Sequence, residues 1–158
     1  MSEDFTHLDE RGAARMVDVS GKEITVRTAT ASGRVLVSAE VIALLRGAGM
    51  PKGDALAVAR IAGIQAAKRT PDLVPLCHPL AIHGVDVDLR IDADSVRIVA
   101  TVRTADRTGV EMEALTCVSV AGLALVDMVK AVDPAAVISD IKLDEKTGGK
   151  RGRWVRPE

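Results

Sequence analysis

Asp127 and Lys130 are the only charged residues between Ala114 and Val132, a stretch otherwise made of apolar or small side chains. On a helix, residues three apart share a face and can pair. A buried charge is costly unless it is paired. The commoner outcome for such a spacing is a structural ion pair. The sharper one is a carboxylate and a lysine held in a dry wall as a proton-transfer couple.

Glu111 and Glu113 open the same stretch. Acids at a helix start ordinarily just favour the helix dipole. A carboxylate can also accept two parallel N–H bonds from a donor-rich ring edge, such as that of a guanine or a pterin. Fourteen residues of helix separate Glu113 from Asp127, about 21 Å at 1.5 Å per residue. A site that uses both needs a long ligand or the helix of a second subunit.

Two segments suit anions. Lys52 in "PKGD" precedes a helix start, where free N–H groups and the dipole favour phosphate, although a solvated loop lysine fits equally well. "KTGGKRGR", from Lys146, offers lysines and a flexible glycine pair but lacks the P-loop spacing. "LVPLCHPL" brackets Cys77 and His78 with Pro75 and Pro79. A satisfied core histidine is the bland reading; a stiff loop holding an imidazole against a ligand is the alternative. Adjacent Cys77-His78, with His83 and Cys117 elsewhere, gives poor zinc spacing, so no metal site is expected.

The elements that must carry these residues are legible in outline. "VSGKEITVRTATASGRVLV" alternates around "ASG" as a hairpin would. Ser38 caps a short helix ended by Gly47 and Gly49, and Asp54 caps a longer one stopped at Thr70-Pro71. The apolar positions of that second helix nearly encircle it, which predicts deep burial. "IHGVDVDLRI" and "SVRIVATVRT" read as paired strands, "EMEALTCVSVAGLALVDMVKAV" as the longest helix, and "AVISDIKLDEKT" as a last strand. The order ββααββαβ predicts an α+β fold with a mainly antiparallel sheet and helices on one face.

The totals narrow the function. A chain of 158 residues, 47% hydrophobic and 27% charged, fits one globular domain, 1–158, with a polar arm over about 1–15 and a basic glycine-containing loop and tail over 144–158. A net charge of -1 and 1% aromatic residues argue against nucleic-acid binding. No apolar run approaches a membrane span and the start is polar and acidic, so a cytoplasmic protein with reduced thiols and no membrane contact is expected.

The segments "THLDERGAARMVDVSGKEITVRTA", "PKGDALAVARIAGIQAAKRTPDLVPLCHPL", "TGVEMEALTCVSVAGLALVDMVKAV" and "KTGGKRG" together resemble the MoaC family of molybdenum cofactor biosynthesis. They cover most of the chain in order, and "PLCHPL" and "GVEMEALT" are long enough to be specific. The resemblance implies a ferredoxin-like fold and a lyase, cyclic pyranopterin monophosphate synthase. Such an enzyme turns a 3′,8-cyclised dihydroguanosine triphosphate into cyclic pyranopterin monophosphate and releases pyrophosphate. It also implies a homohexamer built as a trimer of dimers, with active sites at subunit interfaces, and transient contact with the upstream radical cyclase. No cofactor is implied, and magnesium with the triphosphate is left open. Carried over by position, Asp127, Lys130, Lys52 and His78 are catalytic. Leu76, Cys77, His78, Met112, Glu113, Glu111, Lys146 and Arg27 bind substrate. Arg151 after "GGK" and Cys117 depart from the pattern. A non-catalytic ferredoxin-like nucleotide- or pterin-binding module is the alternative.

Overall fold

In the computed structural model, which describes residues 5–47 and 54–158, a single long strand replaces the expected first hairpin. β1 runs unbroken over Thr25–Leu36. Gly33 does not turn the chain; it pairs with Ile98 and gives space to the helix layer. A Cβ there would sit 2.9 Å from Val118 Cγ1 and 3.1 Å from Ile141 Cγ1. The irregularity that "ASG" signals lies in the pairing with the last strand, whose register shifts between Thr30 and Ala31 and between Ser32 and Arg34.

After β1 come α1 (Ala39–Arg46), capped by Ser38, and α2 (Ala55–Ala67), capped by Asp54, as their sequences predict. Gly49 and Lys52 lie outside the described residues. Thr70-Pro71 stops α2 and opens a one-turn helix, α3 (Thr70–Leu73). β2 (Gly84–Ile91) and β3 (Ser95–Asp106) form the second hairpin, followed by α4 (Glu111–Val129), β4 (Val137–Thr147) and a two-residue β5 (Trp154–Val155). The antiparallel sheet has the order β2-β3-β1-β4-β5. Without β5 this is the ferredoxin-like arrangement, with α2 and α4 as crossover helices.

The core lies between sheet and helices. Ala29, Ala31 and Val35 of β1 and Val96, Ile98 and Val102 of β3 face Val118, Leu125 and Val129 of α4 in one cluster. Small residues allow close approach. A Cβ on Gly63 of α2 would lie 2.9 Å from the Cys117 carbonyl, and one on Gly122 would lie 3.3 Å from Ile138.

Two expectations change here. α4 is long and apolar enough to cross a membrane by length and composition, which the sequence reading had excluded. Its apolarity has another cause: the helix is wedged between the sheet and α2, with Ala114, Cys117, Val118, Ala121 and Leu125 buried. α2 is not buried all round. Ala55, Ala59 and Gly63 face inward, while Ile61 is 65% exposed and Leu123 of α4 is 60% exposed.

Candidate active site

The Thr70 hydroxyl donates to the Ala67 carbonyl at 3.0 Å, closing α2, and Pro71 starts the next turn of helix. The chain then turns where Cys77 N–H bonds the Val74 carbonyl. The segment rejoins the sheet through His83 N–H to the Arg103 carbonyl and Thr104 Oγ1 to the Ala81 carbonyl. "LVPLCHPL" is therefore a loop tied at both ends and laid against the start of α4.

α4 begins at Val110 without a side-chain cap. The Glu111 carboxylate folds back over Gly109, where a Cβ would make it swing aside. Glu111 instead reaches Lys146 on β4, with Nζ to Oε1 at 2.9 Å. Glu113 turns inward and is 3% exposed, the only buried carboxylate among the described residues. Burial pushes its carboxyl up to about 7; its own backbone N–H acts the other way, and the Glu111 charge adds to the rise. Burial, then Glu113 and Glu111, also raises the Cys77 thiol, so Cys77 is a poor nucleophile at neutral pH.

These groups surround a cavity of about 430 Å³. Leu76, Cys77, His78, Glu111, Met112 and Glu113 all line it, so six predicted residues from two distant segments meet in one place. Lys146 joins through Glu111. Arg27 stands behind the Gly148-Gly149 turn: its Nε donates to the Asp106 carbonyl, and a Cβ on Gly149 would lie 2.5 Å from its Nη1.

The remaining wall is the N-terminal arm and the segment that follows it to Lys22, to which the residues alone assigned no chemistry. His7, Val17, Val19 and Lys22 line the cavity. The arm has internal order, with a Leu8–Ala14 bridge and Asp9 accepting from the N–H groups of Arg11 and Ala13. His78 Nε2 lies 2.5 Å from the Val17 carbonyl. A carbonyl can only accept, so neutral His78 carries its proton on Nε2 and leaves Nδ1 with a lone pair. "MVDVSGKE" sat within the stretch that resembles MoaC, which was the only available signal for this wall.

Asp127 and Lys130 do pair, at 2.6 Å, but not in a dry wall. Their side chains are 62% and 57% exposed, at the opposite end of α4 from the cavity. Both lie on the outward stripe of α4 that also carries Met112 and Leu123, which faces neither the sheet nor α2. A smaller hollow of about 240 Å³ over Ser32, Arg34 and Lys142 holds none of the predicted residues, and its Arg34 is bridged to Asp140 at 2.6 Å. Among the described residues, no three His, Cys, Asp or Glu side chains converge as a metal group.

The geometry thus pairs a buried carboxyl, pushed up to about 7, with an oriented imidazole and a lysine already holding an anion. Residues 16–149 match the MoaC family over nearly the whole fold. The chain belongs to the MoaC family. Relatives named cyclic pyranopterin monophosphate synthase bear this out at high identity. One from Nocardioides sp. is 71% identical over 156 residues, covering 97% of this chain and 96% of the relative. One from Streptomyces avermitilis is 70% identical over 152 residues, covering 96% and 89%. A cyclic pyranopterin monophosphate synthase 2 from Mycobacterium tuberculosis is 61% identical over 155 residues, covering 98% and 93%. Apart from Thr6 and His7, the cavity lining falls inside the matched range, as does the Asp127–Lys130 pair of this MoaC chain.

Proposed function

We propose that this chain is a cytoplasmic lyase of molybdenum cofactor biosynthesis. It converts the 3′,8-cyclised dihydroguanosine triphosphate into cyclic pyranopterin monophosphate with release of pyrophosphate. The observation that carries this reading is near-full-length identity to relatives named for that product. Their names describe a synthase, so the non-catalytic module is not favoured.

In the proposed route the guanine-like edge of the substrate enters between Leu76 and Met112 and donates its N–H groups to the Glu113 carboxylate. Lys146 exchanges Glu111 for a phosphate, and Lys52 supports the same chain by its position in the family pattern. Offsetting charge as pyrophosphate departs is electrostatic catalysis by fixed cations. Asp127 and Lys130 move protons during ring opening and closure, and His78 offers Nδ1 as a further acceptor.

One protomer is not enough. About 21 Å of helix lies between Glu113 and Asp127. The outward stripe that carries Asp127 also exposes Leu123. A second copy docked there brings its own cavity to the Asp127–Lys130 pair, within a homo-oligomer that we take to be a hexamer, a trimer of dimers. The test is complementation. Asp127→Ala and Glu113→Ala proteins, each folded and inactive in a pyrophosphate-release assay, should regain part of the wild-type rate when dissociated and reassembled together. Full activity of Asp127→Ala alone would refute its role. Inactive mixed assemblies would refute the shared site.

A further inference from the structure

Three arginines stand side by side across the sheet. The register sets Arg34 of β1 directly opposite Arg97 of β3, and Arg97 directly opposite Arg90 of β2. Their chain neighbours Val35, Val96 and Ile98 are packed in the core, so the row lies on the sheet face turned away from the helices. Lys142 of β4 joins that face one row along, opposite Ser32. Like charges directly opposite one another destabilise a sheet. Elsewhere on the same face the charges alternate, and Arg103 is bridged to Asp86.

The row is only partly compensated. Asp140 takes Arg34 at 2.6 Å, and the Asp88 carboxylate lies 3.8 Å from Arg90. Arg97, in the middle, and Lys142 take part in none of the six ion pairs among the described residues. Asp140 reaches Arg34 from a backbone with φ 56, where β4 slips in register against Ser32 and Arg34. That left-handed conformation is uncommon for a residue with a Cβ. The Arg34 hydrogen bond and charge hold the Asp140 carboxyl below its usual range, so it stays an anion and keeps Arg34 occupied.

Arg34, Arg97 and Lys142 line the hollow of about 240 Å³ together with Asp92 and Asp140, three cations against two carboxylates. Ser32 and Gly33 complete the lining, with no aromatic or large apolar side chain on which a ring could stack. The chemistry suits a compact ion. A guanidinium fork without a carboxylate, beside an ammonium, matches the oxygens of a tetrahedral oxyanion.

We propose that this arginine row is a second ligand site, which binds a compact, multiply charged oxyanion of the phosphate class through Arg97, with Lys142 and Arg34 beside it. It shares no lining residue with the larger cavity, and it stands independently of the function assigned there. Asp140 acts in it as an internal competitor for Arg34.

The test titrates inorganic pyrophosphate calorimetrically, at low salt, into Lys146→Gln protein, whose larger cavity has lost an anion-holding lysine. The same parent then carries Arg97→Gln, Arg97→Lys or Asp140→Asn. For loss of one charge-assisted contact, Arg97→Gln should weaken binding about tenfold or more. Arg97→Lys keeps the charge without the fork and should fall between. Asp140→Asn suits the left-handed backbone and frees Arg34, so it should bind more tightly than its parent. Without pyrophosphate, Arg97→Gln should unfold at a higher Tm, because the like-charge row is broken. In otherwise wild-type protein it should leave kcat and KM for the cyclised nucleotide within twofold. No binding by the parent, affinity of Arg97→Gln within twofold of it, or weaker binding by Asp140→Asn would overturn the inference. A lower Tm for Arg97→Gln would show that the row serves the fold, and a tenfold fall in its kcat/KM would make it part of the larger site; either result overturns the inference as well.

Discussion

Replacing Glu113 by glutamine should make the protein more stable at alkaline pH while removing its ligand binding. The Glu113 carboxyl sits at about 7 in the folded protein against an ordinary value of 4.5, chiefly through burial. Between those values the folded state binds more protons than the unfolded one. Stability contributed by the neutral acid is therefore greatest below pH 4.5 and is lost as pH rises through 7. At 1.36 kcal/mol per pKa unit the full loss is about 3 kcal/mol, and about 2 kcal/mol once screening at the cavity mouth is allowed for. Glutamine has the same shape and does not titrate, so it escapes that loss.

Urea unfolding of both proteins at one protomer concentration, from pH 4.5 to 8.5, measures the effect. The stability difference should grow by about 2 kcal/mol in favour of glutamine across that range, with most of the change between pH 5 and 7.5. Ligand affinity should move in the opposite sense: wild type binds more weakly as pH falls through 7, and Glu113→Gln binds weakly throughout. Parallel stability curves would show that Glu113 is not held in a desolvated place. The assignment of this carboxyl as the ring-edge acceptor would then lose its physical basis. A residue kept at a stability cost is what a binding site requires and a core does not.

Two further outcomes follow from local geometry. Gly148 has φ +94, and a Cβ there would collide with the Val26 carbonyl. Gly148→Ala should displace the turn beyond Lys146 and lower kcat/KM severalfold, with about 1–2 kcal/mol lost in thermal unfolding; a fully active, equally stable variant would remove the turn from the site. The raised Cys77 thiol predicts slow alkylation by iodoacetamide at pH 7.5 compared with free cysteine, and substantial activity in Cys77→Ser. Fast alkylation, or complete loss of turnover in the serine variant, would restore a nucleophilic role.

The sequence was informative where local chemistry decides structure. Ser38 and Asp54 cap α1 and α2 as their types predict, and "VDVDLRI" and "VRIVATVR" pair as alternating strands. It misled where tertiary contacts decide. "ASG" looked like a turn, but Gly33 serves the approach of Val118 inside a continuous strand. Burial around α4 was misread: the apolar surroundings of Asp127 and Lys130 suggested a dry pair, while the acids at the helix start left a dipole contact and a ring-edge acceptor both open. In the fold Glu113 is buried and the pair is exposed. Composition around a residue does not report which helix face the sheet takes. The arm was missed because His7, Val17 and Lys22 act through long-range placement, with no periodicity to signal it.

That reversal bears on how the family pattern is built. An exposed Asp127–Lys130 pair in water is worth little to the folded protomer. In the proposed assembly, a second copy covering the stripe would desolvate the same pair beside exposed Leu123. That one contact would bury apolar surface on α4 and turn a weak surface pair into a proton couple facing the neighbouring cavity. Glu113 needs no such step, because its own fold has already removed it from water. Recognition would thus be prebuilt in each protomer, while acid–base chemistry is switched on only between protomers. A lone chain could hold its ligand without consuming it.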